Sequence, residues 1–97
     1  MSLLSRGQIE QHLRANDGWR FERDAIVKQF TFVGFPEAVA FVSRLVPGAE
    51  TADHHPDITI NYKRVTLTYS THSEGGVTEK DFDGAQMADA CARAGTS

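Results

Sequence analysis

Three of the four histidines, His54, His55 and His72, stand at the ends of sequence elements, where connecting segments converge. Imidazole titrates near neutral pH and can give or take a proton, so such a cluster suits general acid and base chemistry. His54 and His55 precede Pro56, whose ring restrains His55 to an extended backbone, so the two imidazoles are expected to point apart and do different jobs. His72 shares strand parity with Thr66, Thr68 and Ser70, opposite Val65, Leu67 and Tyr69, and so points away from the apolar stripe. Asp81 falls on the same helical line as Ala85, Ala88 and Ala92, the side a helix buries. A carboxylate there must be compensated. Capping its own helix together with Thr78 is one way, typically worth about 1 kcal/mol. A site built around His54, His55, His72 and Asp81 is the expectation.

Other chemistries find less support. Zinc or iron can use three histidines and an aspartate. Adjacent His54 and His55 cannot easily face one ion, however, and no His-x-x-x-His or short paired-ligand spacing occurs. Neither a metal nor a bound cofactor is expected. Gly75 and Gly76 read as a turn, since neither G-x-x-x-x-G-K nor G-x-G-x-x-G is present, and no serine sits in G-x-S-x-G. The single cysteine, Cys91, cannot form an internal disulfide and reads as a small apolar residue on a buried helix face. Net charge is −3 and the ten Lys and Arg are dispersed, unlike the footprint of a nucleic-acid binder. The longest uncharged apolar stretch is far short of the roughly 20 residues of a membrane span. The start, MSLLSRGQIE, lacks the pattern of a signal peptide, so a cytoplasmic location without membrane contact is expected.

The elements that must hold these residues follow from punctuation and periodicity. Ninety-seven residues, 40% hydrophobic and 24% charged, fit one domain over 1–97 with one modest core. Ser5 with Gln8 is a capping box opening a first helix with Ile9 and Leu13 on one face, His12 on its exposed side, and a stop near Asn16, Asp17 and Gly18. Trp19 and Phe21 alternate with polar residues, Arg23 to Ala25 turn, and Ile26 to Val33 is rich in β-branched and aromatic residues, which predicts a hairpin. Pro36 suits the first turn of a second helix whose stripe is Ala38, Val42, Leu45, Ala49 and Ala52. Pro47 and Gly48 predict a kink or restart within it. Ile58, Ile60 and Tyr62, then Val65, Leu67 and Tyr69, alternate around a turn at 61–64 as a second hairpin running to His72. Thr78 with Asp81 opens a last helix ending at Gly95. The order α-β-β-α-β-β-α predicts an α+β fold, a four-stranded antiparallel sheet from two hairpins with helices on one face.

These residues also carry a resemblance. The run Glu50-Thr51-Ala52-Asp53-His54-His55-Pro56, then Asn61-Tyr62, Val65 to Leu67, Ser70-Thr71-His72 and Thr78-Glu79-Lys80-Asp81, resembles the signature of the pterin-4a-carbinolamine dehydratases. Upstream, Gly18-Trp19, Asp24-Ala25-Ile26 and Lys28-Gln29-Phe30 match the same family, so the resemblance spans roughly 18–94. It implies dehydration of a 4a-hydroxytetrahydropterin to the quinonoid dihydropterin, the step that recycles tetrahydropterin after an aromatic amino-acid hydroxylase has acted. It further implies oligomers built from dimers, dimer or tetramer, and no metal. The family's catalytic histidines map onto His54, His55 and His72, and its supporting residues onto Trp19, Glu50, Pro56 and Asp81. Lys80 stands where many members carry arginine, and lysine lacks the two-pronged guanidinium.

The chemistry suits these residue types. Loss of water from a carbinolamine needs an acid at the departing hydroxyl and a base at the neighbouring nitrogen. His54 and His72 are assigned to proton transfer, His55 to positioning the pterin or its water, and Asp81 to orienting a histidine and favouring its charged form. Trp19 is read either as bordering the pterin or as a core aromatic. The alternative is a protein-binding or assembly module of the same fold, since some members act as partners of other proteins. A pure scaffold has no physical need for three site histidines and Asp81, which favours the enzyme.

Overall fold

The computed structural model describes residues 3–94. Helix α1 (Arg6–Ala15) opens on the expected capping box: the Ser5 hydroxyl accepts from the Gln8 amide while the Gln8 side chain accepts from the Ser5 amide. Strands β1 (Arg20–Glu22) and β2 (Ala25–Thr31) are shorter than the sequence suggests, with Trp19 and Val33 outside them. Arg23 and Asp24, at φ 51° and 62°, make the turn, and two left-handed central residues match the twist of a tight hairpin.

Helix α2 (Phe35–Ala52) corrects one expectation, because it runs without interruption through Pro47. Proline removes an amide donor and crowds the preceding turn, at a cost of about 3 kcal/mol in an exposed helix. Here Ala38, Phe41, Leu45 and Ala49 are all buried, the first three in the core shared with the sheet, and each large side chain so buried contributes about 1.5–3 kcal/mol. Pro47 itself faces solvent. Gly48 serves contact rather than breakage, for a Cβ there would meet the Met87 sulfur at 2.9 Å. The observed stripe takes in Phe41 and leaves Ala52 exposed.

Strands β3 (Asp57–Asn61) and β4 (Arg64–Tyr69) complete an antiparallel sheet in the order β1-β2-β4-β3. The second hairpin stops at Tyr69, short of the expected His72, which lies in a 3-10 turn over His72–Glu74. The chain closes there through a bridge between Thr71 and Gly76. Helix α3 (Glu79–Ala94) follows, and the end expected at Gly95 lies outside the described residues. Register pairs Ile26 with Tyr69 and Phe30 with Val65, so these side chains share the helix-facing side and meet Phe41, Leu45, Phe82, Ala85 and Ala88 in one core. Strand β3 is an uncovered edge. Its Ile58 and Ile60 remain 41% and 39% exposed. Among the described residues no helix is long and apolar enough to cross a membrane.

Tyr69 is the largest fully buried side chain, and its hydroxyl has no hydrogen-bond partner among the described residues. Burial, with Cys91 and Asp81 adding repulsion, pushes its pKa from 10.0 up to about 12. Below pH 10 both folded and unfolded chains keep the proton. Between about pH 10 and 12 only the unfolded chain loses it, so stability falls as pH rises through that window. At about 1.4 kcal/mol per unit, the loss approaches 3 kcal/mol. Tyr69→Phe should therefore match the parent within about 1 kcal/mol at neutral pH and exceed it above pH 11. Denaturant melts at the two pH values check this, and parallel losses in both proteins would refute it.

Candidate active site

Strand pairing gathers the histidines at one end of the sheet. Asp57, at the start of β3, lies opposite Thr68, near the end of β4. The segment entering β3, which carries His54 and His55, and the segment leaving β4, which carries His72, therefore emerge together.

The end of α2 sets the first of them. Asp53 caps the helix in the left-handed conformation at φ 50°, which aspartate tolerates better than most residues. Its amide bonds to Ala49 and Glu50 carbonyls and the His54 amide bonds to the Ala49 carbonyl, the double closure of a Schellman end. This turn aims His54 at α3, where Nε2 lies 2.6 Å from Asp81 Oδ1. The Asp81 carboxylate is 0% exposed and the His54 side chain 12%. Asp81 Oδ2 accepts from the Thr78 amide and from the Thr71 hydroxyl, each at 2.9 Å. The helix-capping role read from sequence thus holds, and the same carboxylate also grips a histidine. Tyr69 stacks on the His54 ring at 5.9 Å between centroids, 25° apart in plane.

A carboxylate only accepts, so Nε2 of neutral His54 carries the proton, and Nδ1 has no partner among the described residues. Nδ1 is then the atom able to take a proton from, or return one to, a bound molecule, with the imidazolium supported by the carboxylate behind it.

The other candidates are placed as follows. His55 turns the opposite way, its Nε2 2.5 Å from Glu50 Oε2, and both side chains are more than half exposed. This pair and half-buried Pro56 border an apolar hollow of about 270 Å³ between α2 and β3. His54 and Lys80 line a separate hollow of about 140 Å³ between α2 and α3, with Gly48, Gly84 and Met87. His72 is exposed and borders a third, of about 320 Å³, with Asp57, Thr68 and Ser70 on the open face of the sheet. The three histidines thus share a sheet end but not a hollow.

Trp19 is a core aromatic, 5% exposed, with its indole N–H on Asp89 and its ring tilted against Tyr69 at 6.0 Å. Its link to His54 runs through Tyr69. Contrary to the exposed position expected, His12 is half-buried and stacks on Phe82 at 4.7 Å, one residue from Asp81. A larger hollow, about 550 Å³ beside Lys28, Phe30, Gln86 and Asp89, is lined by none of the histidines. Among the described residues no three His, Cys, Asp or Glu side chains gather around a point where one ion would sit.

Sequence reasoning missed Thr71 and Tyr69. The signal for Thr71 was present: it continues the parity of Val65, Leu67 and Tyr69, so it is a polar residue on the buried side and needs a partner.

Residues 2–91 match the family described as pterin 4 alpha carbinolamine dehydratase. A provisionally named pterin-4-alpha-carbinolamine dehydratase of Sulfolobus acidocaldarius is 48% identical over 80 residues, 82% of this chain and 88% of its own. One from Chloroflexus aurantiacus, likewise provisionally named, is 46% identical over 82 residues, 84% of this chain and 88% of its own. The crystal structure of a transcriptional coactivator/pterin dehydratase from Brucella melitensis superposes with TM-score 0.89 at 41% identity, covering 92% of this chain and 97% of the other. A pterin dehydratase-like protein identified as a RuBisCO assembly factor in the alpha-carboxysome, 24% identical over 84% of this chain and 93% of its own, shares the fold with TM-score 0.67.

Proposed function

The chain belongs to the pterin 4 alpha carbinolamine dehydratase family, and from that premise we propose that it is a cytoplasmic lyase acting as one domain over 1–97. It converts a 4a-hydroxytetrahydropterin to quinonoid dihydropterin and water in tetrahydropterin recycling. The observation that carries this reading is the 2.6 Å bond between His54 and the wholly buried Asp81. A pinned imidazole with one ring nitrogen facing outward is what proton transfer to a bound carbinolamine needs.

In this reading the C4a–O bond breaks as the hydroxyl takes a proton and leaves as water, and the neighbouring ring nitrogen gives up its proton to a base. His54, steadied by Asp81, performs one transfer and His72 the other, on a pterin that lies across the sheet end the two histidines share and bridges their separate hollows. His55 with Glu50 positions the pterin or its water, and Pro56 and Lys80 border the bound ligand. Trp19 supports the site from the core through Tyr69. No metal or cofactor takes part.

The test is spectroscopic. Purified protein should speed decay of freshly generated 4a-hydroxytetrahydropterin to the quinonoid product, and should do so equally after exhaustive chelation. Failure to speed decay would overturn the reading, and loss of activity that returns only with added metal would overturn its mechanism.

A second reading, a protein-binding module, is favoured by exposed Val46 and Ile58, which border one apolar strip between α2 and β3, and by the coactivator named among the relatives. The same strip motivates assembly. All five residues of β3 are exposed along an unpaired edge, which soluble proteins pair or otherwise protect. A homodimer or homotetramer is expected, and light scattering that finds only monomer at micromolar concentration would contradict it.

A further inference from the structure

The hydrogen bonds behind Asp81 have only one consistent direction. The Thr71 hydroxyl donates its proton to Asp81 Oδ2. The 2.8 Å contact between the Thr71 and Thr78 hydroxyls must then use the Thr78 proton. The Thr78 oxygen in turn accepts from the Lys80 amide at 3.3 Å. The chain runs from the Lys80 amide to Thr78, to Thr71, to the carboxylate, whose other oxygen receives the His54 proton. Thr71 and Thr78 are buried at 6% and 0% exposure, so water does not readily replace either donor.

We propose that the Thr71 and Thr78 hydroxyls are positioning groups of the active site, fixing the Asp81 carboxylate in the one orientation that holds His54 with its proton on Nε2. The proposal rests on the dehydratase reading for its kinetic part only. Capping of α3 does not account for Thr71. The residue lies outside the helix, on the segment leaving β4, and it adds a further donor to a carboxylate that already takes the Thr78 amide. Its placement serves the carboxylate's aim rather than the helix's end. Polar networks of this kind are costly when half satisfied, so loss of one hydroxyl is felt along the chain.

Thr71→Val keeps shape and removes the donor, and Thr71→Ser restores it. Thr71→Val should lower kcat by about 10- to 100-fold with KM within about threefold, as loss of outer partners of a working group does. Thr71→Ser should recover most of the rate. Thr78→Val should act in the same direction, and the double variant should be little worse than Thr71→Val, because the relay passes through Thr71. Proton NMR gives a readout independent of turnover. A short His54–Asp81 bond produces a far-downfield Nε2 proton, which should broaden or move upfield in Thr71→Val and return in Thr71→Ser. If Thr71→Val does not fold, Thr71→Cys, a weak donor of similar size, should give the same change in smaller measure. An unchanged resonance and unchanged kcat would overturn the proposal, even if the melting temperature fell. If the parent protein shows no dehydratase activity, the resonance alone decides, and its loss in Thr71→Val would support the positioning role while the dehydratase reading falls.

Discussion

His54→Ala should lower kcat for 4a-hydroxytetrahydropterin by on the order of 10² to 10⁴, the usual worth of one well-placed proton-transfer group. The fold should survive, because His54 lies beyond the end of α2 and its ring belongs to the rim of a hollow rather than to the apolar core. Survival has a cost, since the fully buried Asp81 carboxylate is left with one donor fewer. The rate loss should therefore come with a modest fall in melting temperature. His54 and Asp81 act as one bonded unit, so His54→Ala with Asp81→Ala should be little slower than the poorer single variant. His72→Ala should also cost on the order of 10². Because His72 handles the other proton and has no bond to the His54–Asp81 pair, its effect should multiply with that of His54 rather than merge with it. His55→Ala should mainly raise KM, as expected for a group that positions the ligand. Stopped-flow turnover of the single and double variants checks all of this. Near-normal kcat in both His54→Ala and His72→Ala would remove the site from consideration, and the protein-binding reading would lead.

Local signals carried much of this far and failed at identifiable places. The Ser5 capping box, the Arg23-Asp24 turn and the line of Asp81 with Ala85 and Ala88 are near-neighbour effects, and the structure has them where spacing puts them. The helical line gave the burial of Asp81 but not its partner. His54 lies 27 residues away, and the two meet only because α2 ends in a left-handed turn and packs beside α3. Pro47 misled for a related reason. Its intrinsic penalty is local, while the burial of Phe41, Leu45 and Ala49 that outweighs it is tertiary. The strand assigned as far as His72 ended early because the Thr71–Gly76 bridge turns the chain back, a tight local reversal that alternation of residue types does not reveal. Trp19 could be read as core or ligand contact from sequence, and its burial beneath α3 became plain only with the Asp89 bond in view.

Gly84 is a second residue whose reason lies across the fold, and it supports the other large expected effect. A glycine inside a helix costs about 1 kcal/mol relative to alanine, so its presence in α3 asks for a close approach. That approach is Tyr69: a Cβ at position 84 would stand 2.5 Å from ring atom Cε1 and 2.7 Å from Cζ. The ring cannot simply withdraw, because it is fully buried with Trp19 at 6.0 Å and His54 at 5.9 Å between centroids. Gly84→Val should thus destabilise the protein by about 2–3 kcal/mol, the helix-propensity gain offsetting only a few tenths of the overpacking. In a chain of this size that corresponds to a melting temperature lower by roughly 10–20 °C. Gly84→Ala should show the same effect more weakly. Since the displaced ring would press on His54, turnover per folded molecule should fall as well, at temperatures where the variant is still folded. Tyr69→Leu removes the obstructing ring edge, so the pair Gly84→Val and Tyr69→Leu should show a favourable coupling above about 1 kcal/mol in a double-mutant cycle. Strictly additive losses would mean that Gly84 does not make room for Tyr69, and the packing that holds the His54 ring against α3 would need another explanation.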